Sequence, residues 1–319
     1  MYAACAAACS SALAGPARAE GFPSRPVSIY VANAPGSQAD LLGRLLAQGM
    51  AARLGQSVIV ENRVGASGFI AARATAQAAA DGYTVMLGSS GVMAINPHVY
   101  ASVPYDARKD FAAVAYVASS PSVFLVSAET PAGNLRDFAA AAAKAGRPIN
   151  FGSLGTGATT NIVSQLFGHA ASLPVTEIAY KSEPAIINDL VAGRLDFSVL
   201  PIASTVTYIR SGKLKALAVT AKQRTDFLAE LPTTIEAGYA PVQMTQWFGL
   251  FAPAATPRQA VDKLAAAAEA TLADPDTRRR IAQLGVEPGG LDRPAFLRFF
   301  ASQYEEYGTI VKQLGIKVD

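Results

Sequence analysis

Three times along this chain an extended apolar stretch empties into a short loop of glycine, serine and threonine at the mouth of a helix. The first stretch is Val27 to Ala32. Its loop is Asn33-Ala34-Pro35-Gly36-Ser37-Gln38, and the helix beyond carries Leu41, Leu42, Leu45, Leu46 and Met50 on one face. The second, Tyr83 to Leu87, runs into Gly88-Ser89-Ser90-Gly91. The third, Pro148 to Phe151, runs into Gly152 to Thr160, followed by a helix with Ile162, Val163, Leu166 and Phe167 inward. Ser57 to Glu61, Thr176 to Ala179 and Leu214 to Thr220 read as further strands, and Pro184 suits the first turn of the helix carrying Ile186, Ile187 and Leu190. Such alternation implies parallel sheets covered by helices on both faces. Their ligands sit beyond the carboxyl ends of the strands, where the polar loops lie.

With 319 residues there is room for two packed lobes. Two long apolar segments, Val114 to Ala128 and Thr245 to Pro253, are placed to cross between them. The expected organisation is an export signal over 1–19, a first lobe over 20–120, a second over 121–246, and a return to the first over 247–319. Helices are expected over Ala71 to Ala80, Ala260 to Leu272, Pro275 to Leu284 and Asp292 to Leu314. The last bears Phe296, Phe299, Phe300 and Tyr304 at helical spacing, a stripe expected in the core. No internal repeat is visible in the sequence.

The chain is 51% hydrophobic and 16% charged, which invites a membrane reading. Beyond position 20, however, no uninterrupted apolar run reaches the length of a membrane span. The net charge of +3 is dispersed, without a basic block, so no nucleic-acid partner is expected. Met1 to Ala14 is small and apolar, and Pro16 and Ala17-Arg18-Ala19 follow, the pattern of an export signal cleaved before Glu20. No basic residue precedes the apolar run, so the true translation start and anchoring through Cys9 stay open. Cys5 and Cys9 are the only cysteines, so a thiol metal or redox centre is excluded from the body, and His98 and His169 are too few for a multi-histidine metal site. No cofactor is expected.

Helix N-termini present free N–H groups and a partial positive charge, and small-residue loops let an anion approach them. Loops of this kind converging from two lobes would hold a carboxylate without an arginine. Rival chemistries lack their signatures. The glycines of 152, 155 and 157 do not have dinucleotide spacing, and no lysine follows a glycine loop as in a Walker motif. Ser90 sits near a strand end but lacks the spacing of a nucleophile elbow. A periplasmic serine hydrolase built on Ser90 is therefore the runner-up, and a receptor feeding a signalling partner is a third reading. Asp40, Asp189 and Glu183 read as helix charges.

Several blocks in order resemble the extracytoplasmic solute receptors of tripartite tricarboxylate transporters, the Bug-type family. They include Val60-Glu61-Asn62-Arg63-Val64-Gly65-Ala66, Asp81-Gly82-Tyr83-Thr84, Ala94-Ile95-Asn96-Pro97, Phe151-Gly152-Ser153, Tyr180-Lys181, Leu231-Pro232-Thr233 and Trp247-Phe248-Gly249-Leu250. The resemblance implies an α/β, type II periplasmic-binding-protein fold: two doubly wound lobes, joined by two crossing strands, with a ligand cleft between them. It implies a non-enzymatic, monomeric periplasmic receptor that closes on a small carboxylate and docks on membrane permease subunits. Carried over by position, the ligand-binding residues are Asn33, Ser37, Gln38, Ala39, Ser89, Ser90, Gly91, Ser153, Thr156, Gly157, Thr159 and Tyr180. Where the family often has a polar pair four residues past the aspartate, this chain has Leu200-Pro201 beyond Leu195-Asp196. The expected ligand is therefore a carboxylate without an amino group. Trp247, the sole tryptophan, is expected near the cleft, with emission that shifts on binding.

Overall fold

The structure is a computed structural model, described over residues 21–318. The expected export signal, with both cysteines, lies outside the described residues. The first lobe begins with β1 (Val27–Val31), α1 (Gln38–Leu54), β2 (Val58–Asn62), α2 (Phe69–Ala76), β3 (Thr84–Ser89), α3 (Asn96–Val99) and β4 (Phe111–Ser120). The second contains β5 (Ser122–Ser127), α4 (Leu135–Ala145), β6 (Ile149–Ser153), α5 (Thr159–Ala170), β7 (Val175–Ala179), α6 (Glu183–Val191), β8 (Phe197–Pro201), α7 (Ile202–Arg210) and β9 (Leu214–Val219). The chain then returns through β10 (Gln246–Pro253), α8 (Arg258–Ala273), α9 (Pro275–Gln283), β11 (Glu287–Pro288) and α10 (Arg293–Leu314).

The two sheets share one plan. The first runs β11-β4-β10-β3-β1-β2, the second β7-β6-β8-β5-β9. In each, an antiparallel strand that has just arrived from the other lobe lies between parallel ones: β10 between β3 and β4, β5 between β8 and β9; the two-residue β11 is also antiparallel, on the outer edge of β4. A structural repeat thus exists where the sequence displays none. It resides in buried-strand patterning and loop position, which many residue choices satisfy.

The segment read as one crossing from Val114 to Ala128 is two strands, in different sheets. Pro121 divides them; it has no N–H to donate to a ladder, and its carbonyl accepts instead from Ile202 N–H at 3.0 Å. The second crossing is clamped by Thr220, whose N–H and hydroxyl bond Ser122 O and Met244 O at 2.9 and 2.7 Å.

Helix ends follow local chemistry. Ser37, Asn134, Asp274 and Asp292 cap α1, α4, α9 and α10 by accepting from N–H groups in the first turn. The helix expected over Ala71 to Ala80 instead spans Phe69–Ala76, entered through a short 3-10 turn over Ala66–Gly68.

One apolar core passes through the hinge. In the second lobe Phe124 stacks on Phe197 with ring centroids 4.8 Å apart, and Phe138, Phe151 and Phe167 close around them. In the first lobe Trp247, Phe251, Phe296 and Phe300 form the same continuous cluster. Phe296 and Phe300 are buried, with Phe299 and Tyr304 packed at the margin, so the stripe of α10 is core as expected. Separate clusters fill the α1/α8/α9 face of the first sheet and the α6/α7 face of the second. Gly249 shows how tightly β10 meets α10: a Cβ there would lie 2.3 Å from Phe296 Cζ. Gly249→Ala is expected to cost about 2–3 kcal/mol by overpacking, read as a lower urea midpoint with an unchanged slope. An unshifted midpoint would contradict this packing.

Candidate functional site

The loops leaving the carboxyl ends of the parallel strands of the two sheets face each other. A Cβ on Gly157, in the β6–α5 loop, would lie 2.8 Å from Val99 Cγ1 of α3 and 3.7 Å from Val318 Cγ2. On the opposite side Gly285, after α9, abuts Ala203 at the start of α7. Beside that contact Gln38 Nε2 donates to Leu284 O at 3.2 Å. Gln38, Leu41 and Leu284 of the first lobe and Glu183, Pro201, Ala203 and Ser204 of the second enclose a pocket of about 350 Å³. The first turns of α1, α6 and α7 therefore open onto one space, which brings three partial positive charges to it.

The first loop is built around a buried carboxylate. Asp40 is 2% exposed. Its Oδ2 accepts from Gly36 N–H at 2.9 Å and Arg44 Nε at 3.0 Å, and its Oδ1 from Asn62 Nδ2 at 2.9 Å. Asn62 also donates to Asn33 O at 2.9 Å, so β2 holds the loop of β1. Burial raises the Asp40 carboxyl pKa, but hydrogen bonds from Arg44, Gly36 and Asn62, with the Arg44 charge, outweigh it and leave the carboxyl below its ordinary range. Arg63 continues the lattice, donating its N–H to Val31 O at 2.8 Å and lying 3.9 Å over the Tyr30 ring.

Next to it, four consecutive residues adopt positive φ: Gly65 at 129°, Ala66 at 45°, Ser67 at 52° and Gly68 at 91°. Two of them are not glycine, so the turn stores strain. It is held by Asn96 Nδ2 on Ser67 O at 2.8 Å and by the 2.7 Å bond between the Ser67 and Tyr100 hydroxyls. Gly68 fits where a Cβ would meet Val92 at 2.5 Å and Ala32 at 3.4 Å, wedged between the loops of β1 and β3.

Most of the hydroxyls that looked like ligand donors are spent on shaping loops. Ser37 caps α1, and Ser89 Oγ accepts from Val92 N–H at 3.4 Å. Ser90 is 1% exposed, its Oγ accepting from Trp247 N–H at 3.5 Å. Ser153 is fully buried; it donates to Glu177 and accepts from Gly155 N–H at 2.9 Å. Thr156 also donates to Glu177, at 3.4 Å. Tyr180 donates to Asp189 Oδ2 at 2.7 Å, and burial with that bond pushes its phenol up to about 12. Ala39 is buried in α1, whereas Asn33 is exposed and Gly91, Gly157 and Thr159 are partly open. Of the expected side chains, Gln38 is the one that lines the 350 Å³ pocket. The pattern missed Asp40, Asn62, the Gly65–Gly68 turn and Asn161, whose Oδ1 accepts from Gly157 N–H at 3.4 Å and whose Nδ2 is buried without a partner. Asn161 alone had a local signal, four residues past Gly157 in the first turn of α5.

The hydrolase alternative fails on geometry. His98 Nε2 bonds Tyr304 O at 2.9 Å and His169 Nδ1 bonds Gln313 at 3.4 Å, so neither imidazole engages Ser90. Among the described residues no three histidine, cysteine or carboxylate side chains cluster to hold a metal, and no helix is long and apolar enough to cross a membrane.

The family described as tripartite tricarboxylate transporter family receptor matches residues 42–316. The chain belongs to that receptor family. Its fold is shared by the periplasmic binding protein BugD, at 31% identity and a TM-score of 0.77 over 93% of this chain and 99% of that one. R. palustris Rpa4515, solved with adipate, is 30% identical with a TM-score of 0.80 over 93% and 99% of the two chains. MatC from Rhodopseudomonas palustris, solved with bound malate, is 29% identical with a TM-score of 0.76 over 91% and 100%. The type II periplasmic-binding-protein architecture, with two lobes between which the chain crosses twice, thus stands for this receptor, and its relatives are solute-binding proteins.

Proposed function

We propose that this receptor is exported, works as a monomer in the periplasm, captures a small dicarboxylate by closing its lobes, and presents the closed form to the permease subunits of a tripartite transporter. It catalyses nothing. The observation that carries this reading is the convergence of the α1, α6 and α7 N-termini on one inter-lobe pocket. Neutral donors suit a site that must also release its ligand, since opening strands no buried ion pair. The proteins solved with adipate and malate supply the ligand class.

Pro201 lines the pocket and carries no carboxylate for an ammonium group, and Leu200 before it is buried in the core. Glu183, which does line the pocket, sits in the first turn of α6, where the helix dipole is its natural partner. The ligand is therefore an acid without an amino group. Calorimetric titration with adipate, malate, aspartate and glutamate tests this. Adipate or malate is expected to bind at least about tenfold more tightly than either amino acid; tight aspartate or glutamate binding would overturn it.

A further inference from the structure

The C-terminal tail belongs to the first lobe but meets the second. α10 ends at Gly315, whose φ of +64° turns the chain, and Ile316 folds back into the core with its N–H on Val311 O at 3.2 Å. Val318 then runs alongside α3. It forms a parallel bridge with Tyr100, and its N–H donates to Val99 O at 2.9 Å. α3 is in turn seated on α10. The His98 ring fills the space that a Cβ on Gly308 would take, at 2.7 Å, and its Nε2 bonds Tyr304 O at 2.9 Å. Tail, α3 and α10 therefore form one platform in the first lobe.

The β6–α5 loop of the second lobe stands on that platform. A Cβ at Gly157 would lie 2.8 Å from Val99 Cγ1, 3.8 Å from Val99 Cβ and 3.7 Å from Val318 Cγ2. Further along α5, His169 Nδ1 lies 3.4 Å from Gln313 Nε2 of α10. On its other side the platform reaches the loops of the first lobe. The Tyr100 hydroxyl bonds that of Ser67 at 2.7 Å, in the turn whose Gly68 is wedged between the loops of β1 and β3. Val99, Tyr100 and Val318 thus connect loops of both lobes, and none of them lines the 350 Å³ pocket.

We propose, building on the lobe closure inferred above, that the tail from Gly315 to Val318 is a strap that completes the landing for the β6–α5 loop and so holds the receptor closed over its ligand. The methyl groups of Val318 meet Gly157 across the lobes, so their dispersion attraction is present when the lobes are together and lost when they part. The Val318 backbone also fixes Val99, the other half of the landing. A contact made in the closed form alone shifts the open–closed equilibrium by its own free energy, and it raises the affinity for every ligand by one common factor. The strap touches no ligand, so it sets strength without setting selectivity.

Val318→Ser is expected to weaken adipate and malate alike, by about three- to tenfold in calorimetric titration. Lys317→Ser is the control, since Lys317 is exposed beside Val318 and should leave both affinities unchanged. The urea midpoints of the two free variants should match. An engineered disulfide adds a readout that needs no ligand. The chain has no cysteine beyond Cys9, and the 3.8 Å between Val99 Cβ and a Cβ at Gly157 is a separation that a disulfide spans. In the Val99→Cys/Gly157→Cys variant, adding Val318→Ser is expected to slow formation of the bond about threefold, and adding Lys317→Ser to leave it unchanged. Unchanged affinity for both acids in Val318→Ser would overturn the strap. So would weakening confined to one acid, which would make the tail a wall of the ligand site. If the wild type binds neither acid, the dicarboxylate reading falls and the rate of disulfide closure decides the strap alone: slowed by Val318→Ser it stands, unchanged it falls.

Discussion

Gly285→Ala is expected to weaken ligand binding by about ten- to a hundredfold while lowering stability by only about 1 kcal/mol. Gly285 follows α9 with φ +70°, and a Cβ there would lie 2.6 Å from both Cα and Cβ of Ala203 and 3.1 Å from its backbone N. Those atoms belong to the other lobe and to backbone, so no side-chain rotation relieves the clash. The lobes separate instead. Separation widens the pocket that both lobes enclose. Each 1.4 kcal/mol by which the closed form is disfavoured reduces affinity tenfold.

Gly55 supplies the control. It has a similar φ of +67° and nothing within 4 Å of its Cβ position. Gly55→Ala should carry the same backbone cost and leave affinity unchanged. Calorimetry gives the affinities, and small-angle scattering of the ligand-saturated proteins should show Gly285→Ala as the more extended. Equal affinities for the two variants would mean that the Gly285–Ala203 contact plays no part in closure.

The strand, loop and helix order was legible because a parallel strand covered on both faces must be apolar throughout and its helix must show a stripe. Where either signal thins, the pattern was lost. α4 is nearly all alanine beyond Phe138, and β8 passes through Pro201 into α7 with no polar loop between. The site divided the same way. Loop positions were legible because glycine and serine follow strands, but the use of each hydroxyl was not. Ser153 and Tyr180 are directed by Glu177 and Asp189, partners that strand register and helix phase bring near. Contacts between lobes, such as Gly157 with Val99, leave no local trace at all.

Asp40 is the clearest case of a role hidden this way, and Asp40→Ala is expected to cost about 2–4 kcal/mol of stability and at least about tenfold in ligand affinity. The carboxylate is the shared acceptor of Gly36, Arg44 and Asn62. Its loss frees the loop that carries Ser37 and Gln38 into the cleft. The penalty stays below that of a fully buried pair because the Arg44 side chain is 51% exposed and regains water. Asp40→Asn keeps the volume but turns an amide N–H₂ toward donors, so it should recover only part of the loss.

The pH dependence has a definite sign. The folded carboxyl titrates below the ordinary value of 3.8. The unfolded chain therefore takes up its proton first on acidification. The contribution of Asp40 is complete above the ordinary carboxylate range and is lost as pH falls through the depressed folded value. The stability gap between wild type and Asp40→Ala should be constant from about pH 7 to pH 5 and should narrow toward about pH 3. Urea unfolding across that range measures it. A gap that did not narrow would show that Asp40 acts by shape alone and that its charge does not hold the first loop.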